Sequence, residues 1–210
     1  VSLKIGVMWY PRQQETVYRS VASIGQHDIT VFPDGVTMPK NTKYPSVHLG
    51  DNVGCFRHYY RVLEYLVAQD SEYVAVFSDD VAYKHNWFDV VKQKIDQKNV
   101  GFVAGYVPVG LAQRYGWRKG WYELNLGWAG AWGGGYVFRR EVAEKLLQHP
   151  FILNHRDNYE KNQQIDHAIP EAIFQMGLKQ LYYCPSLMNH IGRTSTIGHE
   201  WRQIDKGYGW

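Results

Sequence analysis

The stretch "YVAVFSDDVAYKHNWF", Tyr73 to Phe88, runs through apolar residues and then stops on two adjacent carboxylates, Asp79 and Asp80. Two acids held close together in a folded site repel, and at least one is protonated unless a cation or several donors sit between them. A strand that ends this way reads either as a turn whose aspartates cap the next helix or as one wall of a site for a hard divalent cation, which takes oxygen ligands and bridges to phosphates.

Working outward, the alternation of β-branched and aromatic runs predicts strands at Leu3–Trp9, Ile29–Phe32, Tyr73–Ser78, Val100–Tyr106, Gly135–Arg139 and Lys179–Cys184. The clearest helix is "NVGCFRHYYRVLEYLVAQ", 52–69. There Phe56, Tyr60, Leu63 and Val67 share one face, and Asp51 or Asn52 is the expected cap. Further helices are expected at Asn86–Lys98, Arg140–Gln148 and Gln163–Met176, with Pro170 in the first turn of the last or kinking it.

Strand and helix alternate over the first hundred residues, so parallel βαβ units follow, and ligands in such sheets bind beyond the carboxyl ends of the strands. Trp9–Arg12, Asp34 and Ser78–Asp80 all emerge there. From Leu111 to Tyr136, aromatic residues spread among glycines with neither period, which reads as a large functional loop system rather than core.

With 210 residues, 45% of them hydrophobic and 20% charged, the chain suits one α/β domain and neither a disordered nor a membrane-embedded protein. No apolar run is long enough for a membrane span, so no membrane insertion is expected. A net charge of +3 carried by scattered Lys and Arg excludes the basic, aromatic-interleaved face of a nucleic-acid binder. Cys55 and Cys184 make no disulfide framework, which points to a reducing, cytoplasmic setting. The opening without Met and the ending "DKGYGW" lead us to expect a piece of a longer multidomain polypeptide.

Taken together, "VFSDDV", "TVFPDG", "NQQIDHAIPEAI" and "LMNHIG" resemble the motifs of a glycosyltransferase of the GT-A fold. The resemblance implies a single Rossmann-like domain over 1–210: a central, mostly parallel twisted sheet flanked by helices, with a smaller antiparallel acceptor-side part. Its donor-binding half would be about 1–107 and its acceptor-side half about 108–210. The family's acidic strand-end motif is here Ser78-Asp79-Asp80, with serine where the first aspartate usually stands. That departure makes Asp80 the direct ligand of Mn²⁺ (or Mg²⁺), with Asp79 helping or lying nearer the ribose or sugar.

The same resemblance assigns the other roles. His190 would complete the metal site, and its imidazole favours Mn²⁺. Asp34 would read the uracil or ribose, and Met8, Trp9, Tyr10 and Arg12 would lie along the nucleoside, the three apolar ones reading equally well as core. Arg57, ahead of Arg61, would face the diphosphate. Gly133 to Gly135, Gly134 at their centre, would let backbone approach the donor sugar, and Trp128 and Trp132 would stack on the acceptor. Asp166 would serve as general base or hydrogen-bond the sugar; as an acid in a helix's first turn it also simply suits the dipole.

The activity implied is transfer of a hexose or deoxyhexose from UDP-glucose or another UDP-sugar to a glycan or glycoprotein acceptor, with retention of configuration favoured. At closer range the chain resembles virus-encoded domains of this class, which implies glycan synthesis for capsid proteins. Two other classes fit parts of the sequence. A sugar-nucleotide pyrophosphorylase shares the layering but needs a glycine-rich loop where "MWYPRQQETV" has none. A non-catalytic carbohydrate-binding module explains the aromatic content but not the acidic pair.

Overall fold

The architecture is a computed structural model that describes residues 2–10, 14–36, 43–124, 135–157 and 165–192. Nine strands, β1 (Leu3–Trp9), β2 (Asp28–Pro33), β3 (Tyr73–Ser78), β4 (Val81–Tyr83), β5 (Val100–Ala104), β6 (Gly120–Leu124), β7 (Gly135–Arg139), β8 (Lys179–Cys184) and β9 (Met188–His190), are found among these residues. The described helices are α1 (Gln14–Ile24), α2 (Cys55–Val67), α3 (Trp87–Ile95), α4 (Val109–Arg114), α5 (Arg140–Leu147), α6 (Pro150–Asp157) and α7 (Ile165–Gln175).

Seven strands form one sheet in the order β2-β1-β3-β7-β5-β8-β6, and β4 pairs with β9 in a separate two-stranded ribbon. The pairings make β2, β1, β3, β5 and β8 run one way and β7 and β6 the other. The fold is therefore α/β with a mixed sheet flanked by helices. Both halves of the chain share this sheet, because β7 lies between β3 and β5.

Strands buried on both faces need apolar side chains at every position, and β3 is buried throughout. Its alternate residues feed two cores. Val74 and Val76 face α2, α5 and α7, while Tyr73, Ala75 and Phe77 join Val17, Val21 and Ile24 of α1 and Trp87, Val91 and Ile95 of α3 on the other side. In β1, Gly6 lets α2 come down on the sheet, since a Cβ there would collide with the Val62 side chain.

Several sequence expectations change. The α2 cap is Gly54 at φ 79 rather than Asp51 or Asn52. Asn52 Oδ1 instead accepts the Gly54 N–H at 3.0 Å, and Val53 N–H is taken by Asp34, so the chain cannot wind before Gly54. Strand β5 stops at Ala104: the Gly105 N–H still donates to Gly135 of β7 at 2.9 Å, but its carbonyl accepts from Leu187, beyond the end of β8. Pro170 lies inside α7, not in its first turn.

The aromatic region 111–136 is not simply loop. It contains α4, β6 and the start of β7, and Trp117 and Tyr136 are buried core residues. Trp117 stacks on Tyr122 with ring centroids 4.6 Å apart. No described helix is long and apolar enough to cross a membrane.

Gly6→Ala should destabilise the fold by about 1–3 kcal/mol, the usual cost of overpacking. Urea denaturation of Gly6→Ala, Val62→Ala and the double variant tests this. The second substitution should relieve part of the first's cost, whereas strictly additive effects would show that the two side chains do not meet.

Candidate functional site

Because β1, β2 and β3 are parallel and in register, with Trp9 opposite Pro33 and Met8 opposite Ser78, all three release the chain at one edge of the sheet. Asp34, Asp79 and Asp80 therefore meet there, each 1% exposed. Carboxylates so deeply buried are stable only if donors reach them.

Those donors come from different parts of the chain. The Asp34 N–H donates to the Trp9 carbonyl at 3.2 Å, closing the ends of β1 and β2. The Tyr10 N–H donates to Asp79 Oδ2 at 3.2 Å. The Ser78 hydroxyl donates to Asp80 Oδ1 at 2.6 Å, and His190 Nε2 lies 2.9 Å from Asp80 Oδ2. The ribbon makes that last contact, for β4 leaves directly after Asp80 and pairs Val81 with His190. The Ile191 N–H donates to the Asp80 carbonyl at 2.7 Å. Gly192 has no room for a side chain, since a Cβ would stand 2.8 Å from Asp80 Oδ2.

The donor set fits a hard divalent cation. Asp80 Oδ2 and His190 Nε2, 2.9 Å apart, are the side-chain atoms that would hold such an ion, and it would supply positive charge at this acidic edge. Among the described residues no group of three or more His, Cys, Asp or Glu is arranged to hold a metal, so any cation held here by Asp80 and His190 would need water or substrate phosphates to complete its ligands.

Asp34 is held from α2. Its Oδ1 accepts the Val53 N–H at 3.1 Å, and His58 Nδ1 stands 3.7 Å away. Its buried Oδ2 has no hydrogen-bond partner among the described residues. His58 carries no signal in the sequence beyond its place within the expected helix 52–69. Its Nε2 lies 2.9 Å from the Phe32 carbonyl, an acceptor only, so Nε2 carries the proton. Burial holds His58 below the ordinary imidazole range, against the opposing pull of the Phe32 carbonyl and of Asp34.

Other expected site residues fall differently. Met8 and Tyr10 are packed in one core and Trp9 in the other, so burial in the core accounts for these side chains. Burial raises the Tyr10 hydroxyl's pKa, with the Cys55 thiol beside it. Arg57 Nε donates to the Arg156 carbonyl at 3.2 Å, joining α2 to α6, and Arg61 clasps the Leu49 and Asp51 carbonyls. A Cβ on Gly135 would collide with the thioether of Met188, so this glycine admits Met188 of the ribbon.

Asp166 is half-buried in the first turn of α7, and burial raises its pKa. It acts electrostatically on Tyr136, whose backbone pairs with Val76 two residues before Ser78. Arg12, Trp128, Trp132 and Gly134 lie outside the described residues. No protein-family model matches the chain, and no curated protein matches it either.

A histidine buried in the neutral form makes stability depend on pH. Its folded pKa lies below the ordinary 6.5, so the unfolded chain takes the proton more readily. The contribution is complete above about pH 6.5 and is lost as pH falls toward the folded value, at up to about 1.4 kcal/mol per pH unit. His27, also lowered by burial, acts in the same direction. Unfolding free energies measured from pH 7 to 5 should fall less steeply for His58→Gln than for wild type. An unchanged slope would assign the titration elsewhere.

Proposed function

We propose that this chain is a metal-dependent glycosyltransferase of GT-A type that uses a UDP-sugar and transfers a hexose or deoxyhexose to a glycan acceptor. The observation that supports it most is the meeting of Asp80 and His190, 110 positions apart in sequence and 2.9 Å apart in space, beside Asp79 and Asp34 at the carboxyl edge of parallel strands. A dense acidic edge with an imidazole is what a cation bridging a diphosphate requires.

In this reading Asp80 Oδ2 and His190 Nε2 would hold Mn²⁺, with Mg²⁺ the weaker alternative, and Nε2 would give up the proton it shares with Asp80 in the ion's absence. The Ser78 hydroxyl donates to the other Asp80 oxygen and so orients the carboxylate. When bound, the ion supplies positive charge against the diphosphate as the glycosidic bond breaks. Asp79, fixed by the Tyr10 N–H, sits on the nucleoside side, and Asp34 Oδ2 accepts a hydrogen bond from the nucleoside. Asp166, raised by burial, is the carboxylate suited to take a proton from, or bond, a sugar hydroxyl. Neither Cys55 nor Cys184 forms a disulfide, which suits the reducing cytoplasm that belongs to the same proposal.

Calorimetric titration of UDP into the protein, with and without Mn²⁺, tests the reading. Binding should require Mn²⁺ and be lost in Asp80→Ala. UDP binding that ignores both, or its complete absence from wild type, would sink it and favour a carbohydrate-binding role.

The imidazole ligand makes a second prediction. Mn²⁺ should bind more tightly than Mg²⁺, read from the Mn²⁺ paramagnetic resonance signal under Mg²⁺ competition, and His190→Asn should narrow the difference. A preference unaffected by His190→Asn would remove the histidine from the ligand set.

A further inference from the structure

Three hydrogen bonds tie the start of α2 and the residues just ahead of it to the end of β2. Ahead of Gly54, the Val53 N–H donates to Asp34 Oδ1 and Asn52 Nδ2 to the Asp34 carbonyl at 3.5 Å. Within the first turn, His58 Nε2 donates to the carbonyl of Phe32, two residues before Asp34. His58 is 1% exposed, and its ring stands edge-on to Tyr10, with centroids 6.2 Å apart. Its ring therefore fills the space between the exits of β1 and β2 and the first turn of α2.

This wedge decides where the Val53 N–H stands relative to Asp34. If α2 slid along β2, Oδ1 would lose its donor and the carboxylate would rotate. The backbone just after Asp34 is packed closely on the segment ahead of α2, since a Cβ on Gly35, at φ +69, would collide with the backbone of Asn52. His58 Nδ1, 3.7 Å from Oδ1 and without a proton in this tautomer, gives no hydrogen bond of its own to Asp34. Oδ2 is thereby left as a buried acceptor in one orientation, with no partner among the described residues.

We propose that His58 is a positioning residue for the nucleotide site: by holding the Phe32 carbonyl it fixes the first turn of α2 against β2 and so presents Asp34 Oδ2 to the ligand in a single orientation. The inference rests on the nucleotide-sugar reading of this edge of the sheet. His58 acts through Asp34 and touches neither the ligand nor the cation.

That route makes a specific pattern of coupling. In the presence of Mn²⁺, His58→Leu, which removes the donor but keeps an apolar side chain, should weaken UDP binding about 10-fold, the scale on which orienting partners act. His58→Gln, whose amide can still donate to the Phe32 carbonyl, should recover most of the loss. The deciding measurement is the double-mutant cycle with Asp34→Ala, in which His58→Leu should cost nothing further. Mn²⁺ affinity, read by paramagnetic resonance, should be the same in wild type and His58→Leu, which also shows that the variant is folded.

Full UDP affinity in His58→Leu, or a loss that persists undiminished in the Asp34→Ala background, would overturn the inference while leaving the nucleotide reading intact. Wild type that binds Mn²⁺ but no UDP would end both. Should His58→Leu fail to fold, the comparison of His58→Gln with wild type in the two Asp34 backgrounds decides by the same criterion: any loss must vanish when Asp34 is absent, and a loss that survives refutes the role.

Discussion

Burying Asp34, Asp79 and Asp80 at one edge of a sheet carries a desolvation penalty of several kcal/mol per ion, and the site's construction is governed by how that penalty is offset. The described donors are backbone N–H groups of Tyr10 and Val53, the Ser78 hydroxyl and the His190 imidazole. Each comes from a different turn of the chain. The carboxylates are thus not simply placed on a finished scaffold, because the ends of β1, α2, β3 and β9 are each hydrogen-bonded to one of them.

Reaching that arrangement depends on close packing elsewhere. The register of β1 with β2 and β3 brings the three exits together, and Gly6 lets α2 approach until Val53 and His58 reach the end of β2. On the other side, β7 enters antiparallel between β3 and β5, and the bare Gly135 makes room for Met188. Met188 belongs to β9, so the same contact that seats the ribbon against the sheet carries His190 to Asp80. A side chain at Gly135 would act on the site through Met188, without touching either acid.

What was legible in the sequence follows the same physics. Strands β1, β3, β7 and β8 could be read to the residue because burial on both faces, or a clear alternation, writes itself as long β-branched and aromatic runs. The meeting of Trp9–Tyr10, Asp34 and Ser78–Asp80 was legible too, since parallel strands must release the chain on one side. Ribbon strands β4 and β9, three residues each, are too short to show a period. Strand β6 was hidden because its aromatic residues, Trp121 on Tyr183 of β8 and Tyr122 on Trp117, are only half-buried and stand in a region mixed with glycines. His58 was invisible as a site residue for a different reason: nothing in a helical repeat distinguishes a histidine that fills a stripe from one that bonds the carbonyl of a neighbouring strand.

The adjacency of Asp79 and Asp80 then has a mechanical answer. Neighbouring side chains at the end of a strand point to different sides, and here each finds a separate anchor, Asp79 on the exit of β1 and Asp80 on β9. The two acids are sequence neighbours whose partners are 69 residues back toward the amino terminus and 110 residues onward. Bringing His190 to Asp80 closes a long loop, which only the packed sheet can compensate. An isolated amino-terminal half would carry the acidic pair and lack the imidazole. The Asp80–His190 contact therefore depends on the whole fold, and it exists only once the last described strand has paired with the shortest of the early ones.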